Sequence, residues 1–138
     1  MFFPSHVDSA TLQTTTWYWR TDMKYLCLIY DDEKKAVTMS KADLDALMSD
    51  YFAFTEDIKK SGHYQAGEAL QPVQTATSVR IRNGKLSTTD GPFAETKEQL
   101  GGFYMIEAKD LNEAIQIAAK IPSAKTGTIE VRPVEVFS

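Results

Sequence analysis

Asn83-Gly84, near the middle of the chain, predicts a tight β-hairpin and so limits the folds open to the whole sequence. Two short runs, residues 75–82 and 85–89, flank the dipeptide, and the first alternates apolar with basic side chains. Asn and Gly tolerate the positive φ that two-residue hairpin loops require. The hairpin divides the remaining sequence into two halves.

The first half predicts a strand, a long helix and a second strand. Residues 25–30 are nearly all apolar, as in a strand buried on both faces, and 31–38 predict a polar loop. Ser40 followed by Asp43 is typical of a helix start, and Gly62 of a helix stop, so 41–61 predict one amphipathic helix. We expect its buried face to contain Leu44, Leu47, Met48, Tyr51, Phe52, Phe54, Thr55 and Ile58.

Residues 63–70 predict the second strand of the first half. The second half repeats the pattern: residues 102–107 predict a strand, and Asp110 with Glu113 predicts a capped helix over 111–120. We expect that helix to bury Leu111, Ala114, Ile115 and Ala118. Residues 128–137 predict the last strand, with an irregularity at Arg132-Pro133.

The predicted order is β-α-β-β-β-β-α-β, which favours an α+β fold of the ferredoxin-like split βαβ type with an inserted β-hairpin. Both helices would cover one face of the sheet, leaving the other face unburied. A homodimer that closes sheet against sheet, a dimeric α+β barrel, is the simplest way to bury it.

Composition limits the partners and cofactors. The chain has 138 residues and a formal net charge of −4, which disfavours nucleic acid and anionic membranes. No apolar stretch is long enough to span a bilayer. The sequence contains two histidines and one cysteine and lacks phosphate-binding or serine-nucleophile motifs. We therefore expect neither a metal ion nor another cofactor.

The first 22 residues differ from the rest. They are rich in Ser and Thr and lack the apolar core of a secretory signal, so we expect a cytoplasmic protein with an N-terminal extension before a domain at 23–138. Trp17-Tyr18-Trp19 contains enough apolar area to favour packing on its own protomer or a partner. Cys27 lies in an apolar run and predicts a buried, unreactive thiol.

Four segments of the chain carry a resemblance to a known family: "MKYLCLIYDDE", "EALQPVQTATSVRIRNGKL", "TDGPFAETKEQLGGFYMIEAKDLNEAIQIAAKIP" and "IEVRPVEVF". Together they resemble the DGPF group of the YCII-related domain proteins. The resemblance implies a ferredoxin-like dimeric α+β barrel with a cleft near the dimer interface. It also implies that members of the broader family are suspected enzymes, some of which pair a His with an Asp in that cleft. For the DGPF group, it implies that the genes often lie beside those of extracytoplasmic-function sigma factors.

Asp90 and His63 are the candidate catalytic residues. Asp90 ends a strand before Gly91-Pro92, where a carboxylate serves either as a general base or as the side chain of an Asx-turn. His63 follows the helix-stop glycine. It is either a proton shuttle paired with Asp90 or a surface histidine that the helix dipole favours at this end of the helix. The sequence leaves both alternatives open.

The other candidates are ligand-binding residues around a cleft. Phe93 predicts either an apolar pocket floor or an anchor in the core. Lys97 is a candidate anion ligand flanked by two acids, although alternating charges are also typical of a solvated face. The full set of ligand-binding candidates is Tyr30, Glu68, Gly91, Pro92, Phe93, Glu95, Lys97 and Glu98.

Two kinds of function fit these residues. One is acid–base chemistry on a small molecule by Asp90, with or without His63. The other is a non-catalytic module that binds a ligand or a protein such as a sigma factor. The sequence does not decide whether the protein is an enzyme.

Overall fold

A computed structural model of the chain describes residues 22–137. The predicted extension, including Trp17-Tyr18-Trp19, lies outside these residues except for Asp22. The strands are β1 (Met23–Asp31), β2 (Tyr64–Ala69), β3 (Thr77–Arg82), β4 (Lys85–Asp90), β5 (Gln99–Ala108) and β6 (Thr128–Pro133). The helices are α1 (Glu33–Val37), α2 (Lys41–Lys60) and α3 (Leu111–Ala118), with short 3₁₀ turns at Val73–Thr75 and Pro122–Lys125.

Four of the strands form one antiparallel sheet in the order β2-β5-β1-β6. The two central strands, β1 and β5, pair along their whole length, from Met23 opposite Ala108 to Asp31 opposite Gln99. The pairing shifts between Ile29 and Tyr30, where Gly101 is the extra residue on β5. This β-bulge is local, since the register on both sides of it is regular.

Alternate side chains of the central strands face α2 and α3 and form the core. Because side chains alternate along a strand, one face of β1 and β5 is buried and the other is half-buried. The buried cluster contains Tyr25, Cys27, Ile29, Phe54, Ile58, Tyr104, Ile106, Ala108, Ala114, Ile117, Ala118 and Ile121. Cys27 is fully buried, and burial raises the pKa of its thiol to about 11.

Tyr104 is the residue that joins α2 to the sheet. Its ring lies edge-on to Phe54, with centroids 5.0 Å apart. Its hydroxyl is 2.6 Å from Thr55 Oγ1, which itself donates to the carbonyl of Tyr51. The phenol therefore donates to Thr55, and burial raises the pKa of Tyr104. A buried hydroxyl with a partner costs little, so the core tolerates this polar group.

The opposite face of the sheet, here called the open face, has an apolar centre. Cross-strand pairing places Phe103 beside Leu28, and Met105 beside Leu26. All four side chains are half-buried. Glu68 on β2 pairs with Phe103, and Glu130 on β6 pairs with Leu28, so the row that contains Phe103 and Leu28 ends in a carboxylate at each edge.

The hairpin at Asn83-Gly84 is present and forms a separate two-stranded sheet, β3 with β4. Both turn residues have positive φ, 52° and 74°. Val79, Ile81 and Leu86 share one face of the hairpin and are 61–69% exposed. Apolar side chains therefore cover a face of the hairpin that the core does not bury.

The α+β class is confirmed, with several local differences from the sequence-based expectations. Residues 33–37 form α1 where a loop was expected, because Asp32 accepts a hydrogen bond from the Lys34 N–H and caps the turn. The last strand ends at Pro133, and Phe137 is 89% exposed. No helix within residues 22–137 combines the length and apolar content needed to cross a membrane.

The predicted buried faces of the helices were partly wrong. Met48 and Phe52 on α2 are 54% and 69% exposed, and on α3 Ile117 is buried while Ile115 is 47% exposed. A helix lying on a flat sheet contacts it along a narrow stripe, so apolar residues on the flank of that stripe stay exposed. The sequence pattern gives the side of the helix but overestimates the width of its contact.

Gly127 lies where the chain before β6 passes against the end of β1. A Cβ at this position would lie 2.1 Å from the carbonyl oxygen of Tyr30. We expect Gly127→Ala to lower the free energy of unfolding by about 3 kcal/mol, because main chain must move to relieve the overlap. Urea unfolding measures this. Gly101→Ala is the matched control, because its nearest atom would be 4.0 Å away; equal losses would contradict the prediction.

Candidate functional site

A groove of about 1340 Å³ runs along the helical side of the molecule. Phe54, Ile58 and Ile117 contribute apolar walls. Charged side chains of both signs line it, including Asp50, Asp57, Lys60 and Lys120. The groove is large enough for a small organic molecule and offers both apolar surface and ionic contacts.

His63 lines this groove and has a polar neighbour at each ring nitrogen. Its Nδ1 lies 2.7 Å from Ser61 Oγ, and its Nε2 lies 3.5 Å from Glu113 Oε1. The His63 side chain is 25% exposed and that of Glu113 is 30% exposed. A histidine held from both sides, yet open to a groove, is suited to exchanging protons with a bound molecule.

The end of α2 determines the position of His63. Gly62 has φ +82°, and its N–H donates to Lys59, while the His63 N–H donates to Ile58. This pair of bonds is a Schellman motif, which uses a glycine in the left-handed region to end a helix. The His63 carbonyl then accepts the Glu107 N–H at 2.8 Å, so His63 is fixed between α2 and β5.

The start of α3 determines the position of Glu113. Asp110 caps the helix by accepting the Glu113 N–H at 2.8 Å, and Glu113 Oε1 accepts the Lys109 N–H at 2.9 Å. The pKa of Glu113 is lowered, first by the Lys109 N–H and then by the charge of His63. Glu113 therefore stays ionised beside the imidazole well into the acid range.

The hydrogen-bonding groups around His63 fit two arrangements. With neutral His63, the carboxylate of Glu113 favours the proton on Nε2, and Ser61 donates to Nδ1. With protonated His63, Nδ1–H donates to Ser61, whose hydroxyl turns to the Ile58 carbonyl 3.2 Å away. Both charge states of His63 are satisfied by the same two neighbours.

Asp90 belongs to the separate hairpin sheet and does not line the groove that contains His63. It ends β4 opposite Thr77, and Gly91 N–H donates to Ala76 beside it. The segment before Ala76 is held near Gln99 through Glu33. The Glu33 carboxylate accepts a hydrogen bond from the Val73 N–H, and the Glu33 backbone N–H donates to the Gln99 side-chain oxygen. His63 lies next to Glu107, which is eight positions along β5 from Gln99, a length of about 26 Å.

The carboxylate of Asp90 makes no hydrogen bond within residues 22–137, and the loop is held instead by other groups. Besides the Gly91 N–H bond to Ala76, the Ser78 hydroxyl donates to the Gly91 carbonyl at 2.9 Å. Gly91 has φ +102°. The turn therefore depends on the Gly91 backbone and leaves the Asp90 carboxylate exposed.

The rest of the predicted DGPF loop is mostly exposed. Phe93 is 77% exposed and lies under the Arg80 guanidinium, 5.1 Å from its ring centroid, so it is not an anchor in the core. Glu98 accepts a hydrogen bond from Thr128 at 2.8 Å. Glu95 and Lys97 are exposed and form no ion pair within the described part of the chain. Pro92 is half-buried.

Tyr30 and Glu68 belong to the open face. Tyr30 pairs with Leu100 across the bulge and Glu68 pairs with Phe103, both on the side of the sheet away from the core. The predicted residues thus fall in three places: His63 in the groove, Tyr30 and Glu68 on the open face, and the DGPF loop at the hairpin base. The structure does not bring Asp90 and His63 together within one chain.

Two neighbours of His63, Ser61 and Glu113, are not among the site residues that the sequence predicts. Glu113 was recognised only as part of a helix cap, and its position beside His63 depends on contacts between residues 50 positions apart in the sequence. Ser61 was treated only as the end of a helix. Among residues 22–137, His, Cys, Asp and Glu side chains do not gather into a group of three or more suited to a metal ion.

Comparison with known proteins assigns this α+β chain to a family. The model of the YCII-related domain matches residues 23–138. An uncharacterised protein of Rhizobium meliloti (strain 1021) is 37% identical over 117 residues, which cover 83% of this chain and 94% of that protein. The chain belongs to the YCII-related domain family, as the sequence resemblance predicted.

Gly91 gives a test of the hairpin base. We expect Gly91→Val to lower the free energy of unfolding by about 1–3 kcal/mol, because its φ of +102° is strained for a β-branched residue. Asp90→Asn is the neighbouring control and should change stability little, since the Asp90 side chain makes no hydrogen bond to lose. Urea unfolding of both variants measures this, and a larger loss in Asp90→Asn would contradict it.

Glu113 gives a test by pH. Its folded pKa is lowered from 4.5, so the ionised form stabilises the fold fully above that unfolded value, and this contribution is lost as pH falls through the folded pKa. We expect Glu113→Gln to cost about 0.5 kcal/mol at neutral pH, because Gln keeps an oxygen that accepts the Lys109 N–H but loses the negative charge at the start of α3. The difference from wild type should shrink in acid.

Urea unfolding between about pH 3 and pH 7 measures this difference, with the pH range set by ordinary carboxyl titration. Glu95→Gln, on the exposed loop, is the control. A Glu113→Gln deficit that stays constant over the whole range would show that the carboxylate charge plays no part in stability.

Proposed function

We propose that the protein binds a small molecule in the groove and exchanges a proton with it through His63. The observation that carries this proposal is the pair of contacts at the two ring nitrogens, Ser61 at 2.7 Å and Glu113 at 3.5 Å. A general acid–base residue needs a fixed orientation, a defined tautomer and access to its substrate. Glu113 supplies the tautomer, the end of α2 supplies the orientation, and the groove supplies access.

The proton follows a short route in this proposal. Neutral His63 keeps its proton on Nε2, toward Glu113, and offers the Nδ1 lone pair as the base. The Ser61 hydroxyl gives its proton to Nδ1 and takes one from the bound molecule, or the molecule donates to Nδ1 directly. The protonated imidazole then carries a charge opposite to that of the Glu113 carboxylate, 3.5 Å away.

At the level of assembly, we propose a DGPF-group, ferredoxin-like unit that forms a homodimer, with residues 1–22 as an extension to the domain at 23–138. The strand order β2-β5-β1-β6 with both long helices on one face supports the ferredoxin-like assignment. The apolar centre of the open face supports a dimer that closes sheet against sheet. A cytoplasmic location is part of this proposal.

Asp90 keeps a proposed role as a second acid–base group. Its carboxylate is exposed, and Asp90 does not line the groove that contains His63, so we propose that the two residues share a ligand across two protomers. In that arrangement Tyr30 and Glu68, on the open face, and Gly91, Pro92, Phe93, Glu95, Lys97 and Glu98, on the loop, are ligand-binding candidates of the dimer cleft.

The alternative is a non-catalytic module that binds a ligand or a protein such as a sigma factor. The groove supports ligand binding without chemistry equally well, because its apolar walls and charged rim do not require His63 to change its protonation state. The two functions differ in the role of His63. A catalyst needs His63 for turnover, whereas a binding module needs it only as part of the groove wall.

Incubation with a low-molecular-weight cell extract, followed by mass spectrometry of the extract, tests catalysis. We expect at least one compound to be converted by wild type and about 100-fold more slowly by His63→Gln, the usual scale for loss of a general acid–base. Conversion at equal rates would overturn the role of His63. Binding without conversion would favour the non-catalytic module.

Two variants of α2 control for the location of the ligand. Ala53 lines the groove and Ser49 does not, although both are exposed on the same helix. Ala53→Trp should abolish binding of the converted compound, whereas Ser49→Trp should not. Asp90→Asn extends the test, since loss of binding in this variant alone would place the ligand at the hairpin base.

A further inference from the structure

Two contacts show that α2 and α3 run antiparallel along the groove. At one end of the groove, His63 Nε2 lies 3.5 Å from Glu113 Oε1, which joins the end of α2 to the start of α3. Further along, the Tyr51 hydroxyl lies 2.5 Å from Ser123 Oγ, which joins the middle of α2 to the turn after α3. The two helices therefore form opposite walls, and positions on one wall can be matched to positions on the other.

Each wall carries charged side chains without partners. Asp50 and Asp57 on α2 line the groove and are about two helical turns apart, so they lie on the same side of the helix. Lys60 lines it one turn beyond Asp57, and Lys120 lines it from the α3 wall. None of these four side chains forms an ion pair or hydrogen bond within residues 22–137. The α2 wall thus presents both unpaired carboxylates, and Lys120 is the cation on the other wall.

The other charges of the groove lie farther from His63, around the end of β1 and the start of α1. The carboxylates of Asp31, Asp32 and Glu33 already hold local structure. Each of them accepts a hydrogen bond, from the Thr126 hydroxyl or from a backbone N–H. The charges near His63 that remain open to a ligand are therefore those on the facing walls of α2 and α3. The remaining charged residues of the distant group are Lys35 and Lys125.

Asp57 and Lys120 lie at similar positions along the groove. On α2, Asp57 is four residues before Ser61, or about 6 Å along the helix axis. On the other wall, Lys120 is seven residues after Glu113, or about 10 Å. Because Ser61 and Glu113 both contact His63, the two charges differ by only about 4 Å in their distance from it along the groove. Buried apolar side chains line the same stretch: Phe54, Ile58 and Ile117.

We propose that the molecule bound in the groove is a small zwitterion with an apolar body, whose cationic group pairs with Asp57 and whose anionic group pairs with Lys120. This inference rests on the proposed function of the groove and names its substrate class. An ω-amino acid is the simplest molecule of this kind. A ligand with one charge would pair with one wall and leave the charges of the other wall unpaired, whereas a zwitterion pairs with both. Its cationic end lies nearer His63, and its hydrocarbon chain covers the apolar side chains between the walls.

Isothermal titration calorimetry of the full chain with three probes of matched shape tests the substrate class. ε-Aminocaproate carries both charges, caproate only the negative one and hexylamine only the positive one. We expect ε-aminocaproate to bind about fivefold more tightly than either singly charged probe, which is the scale of one partly exposed ion pair. γ-Aminobutyrate, with butyrate and butylamine, repeats the comparison at a shorter chain length.

Two variants remove one charge from each wall. Asp57→Asn should bind ε-aminocaproate no more tightly than caproate, and Lys120→Gln should bind it no more tightly than hexylamine. Glu56→Gln and Lys34→Gln are the matched controls, because both positions are exposed and neither lines the groove. We expect both controls to keep the wild-type preference for ε-aminocaproate.

The outcomes separate this proposal from the function on which it rests. Equal affinities for the three matched probes, no binding of any probe at either chain length, or a preference that either groove variant keeps would overturn the zwitterion. A compound of the cell extract that His63 converts but that is not a zwitterion would also overturn it and would leave the proposed function intact. Selective binding of ε-aminocaproate, with no conversion of any compound that depends on His63, would support the substrate class and overturn the proton exchange.

Discussion

Antiparallel pairing of β1 with β5 is the contact on which the other parts of this molecule depend. It fixes which side chains point toward α2 and α3, and so places Tyr25, Cys27, Tyr104 and Ile106 in one core. The same alternation leaves Leu28 and Phe103 on the open face. A sheet with two helices on one side has one face buried in the core and an opposite face that the helices leave uncovered.

The groove and His63 follow from where that core ends. α2 finishes beside β5 because the chain must turn back into β2, and the Schellman turn at Gly62 brings His63 against Glu107. α3 begins just after β5, so its capping carboxylate, Glu113, meets the imidazole. A residue that caps α3 therefore also sets the charge environment of the candidate site, so one carboxylate contributes to both.

Local features were predictable and long-range ones were not. The Asn83-Gly84 hairpin and the caps at Ser40 and Asp110 depend on neighbours within three residues, so the sequence shows them directly. The strand and helix order followed, since each element has its own periodicity. The contact between His63 and Glu113 depends on how α2, β5 and α3 pack, and no local pattern encodes it. For the same reason, the place of Asp90 at the end of a strand does not show whether its carboxylate contacts His63.

The bulge at Gly101 also has a consequence for relatives of different length. Because Gly101 is the unpaired residue, Leu100 faces the open side opposite Tyr30, and Gln99 turns toward the helices, where its side chain accepts the first N–H of α1. Deleting one residue here would restore regular pairing. The residues of β5 before the deletion would then each point to the opposite face of the sheet. An insertion or deletion near Gly101 would therefore change which residues face the edge of the groove. A substitution at the same positions would change only the side chains that line it.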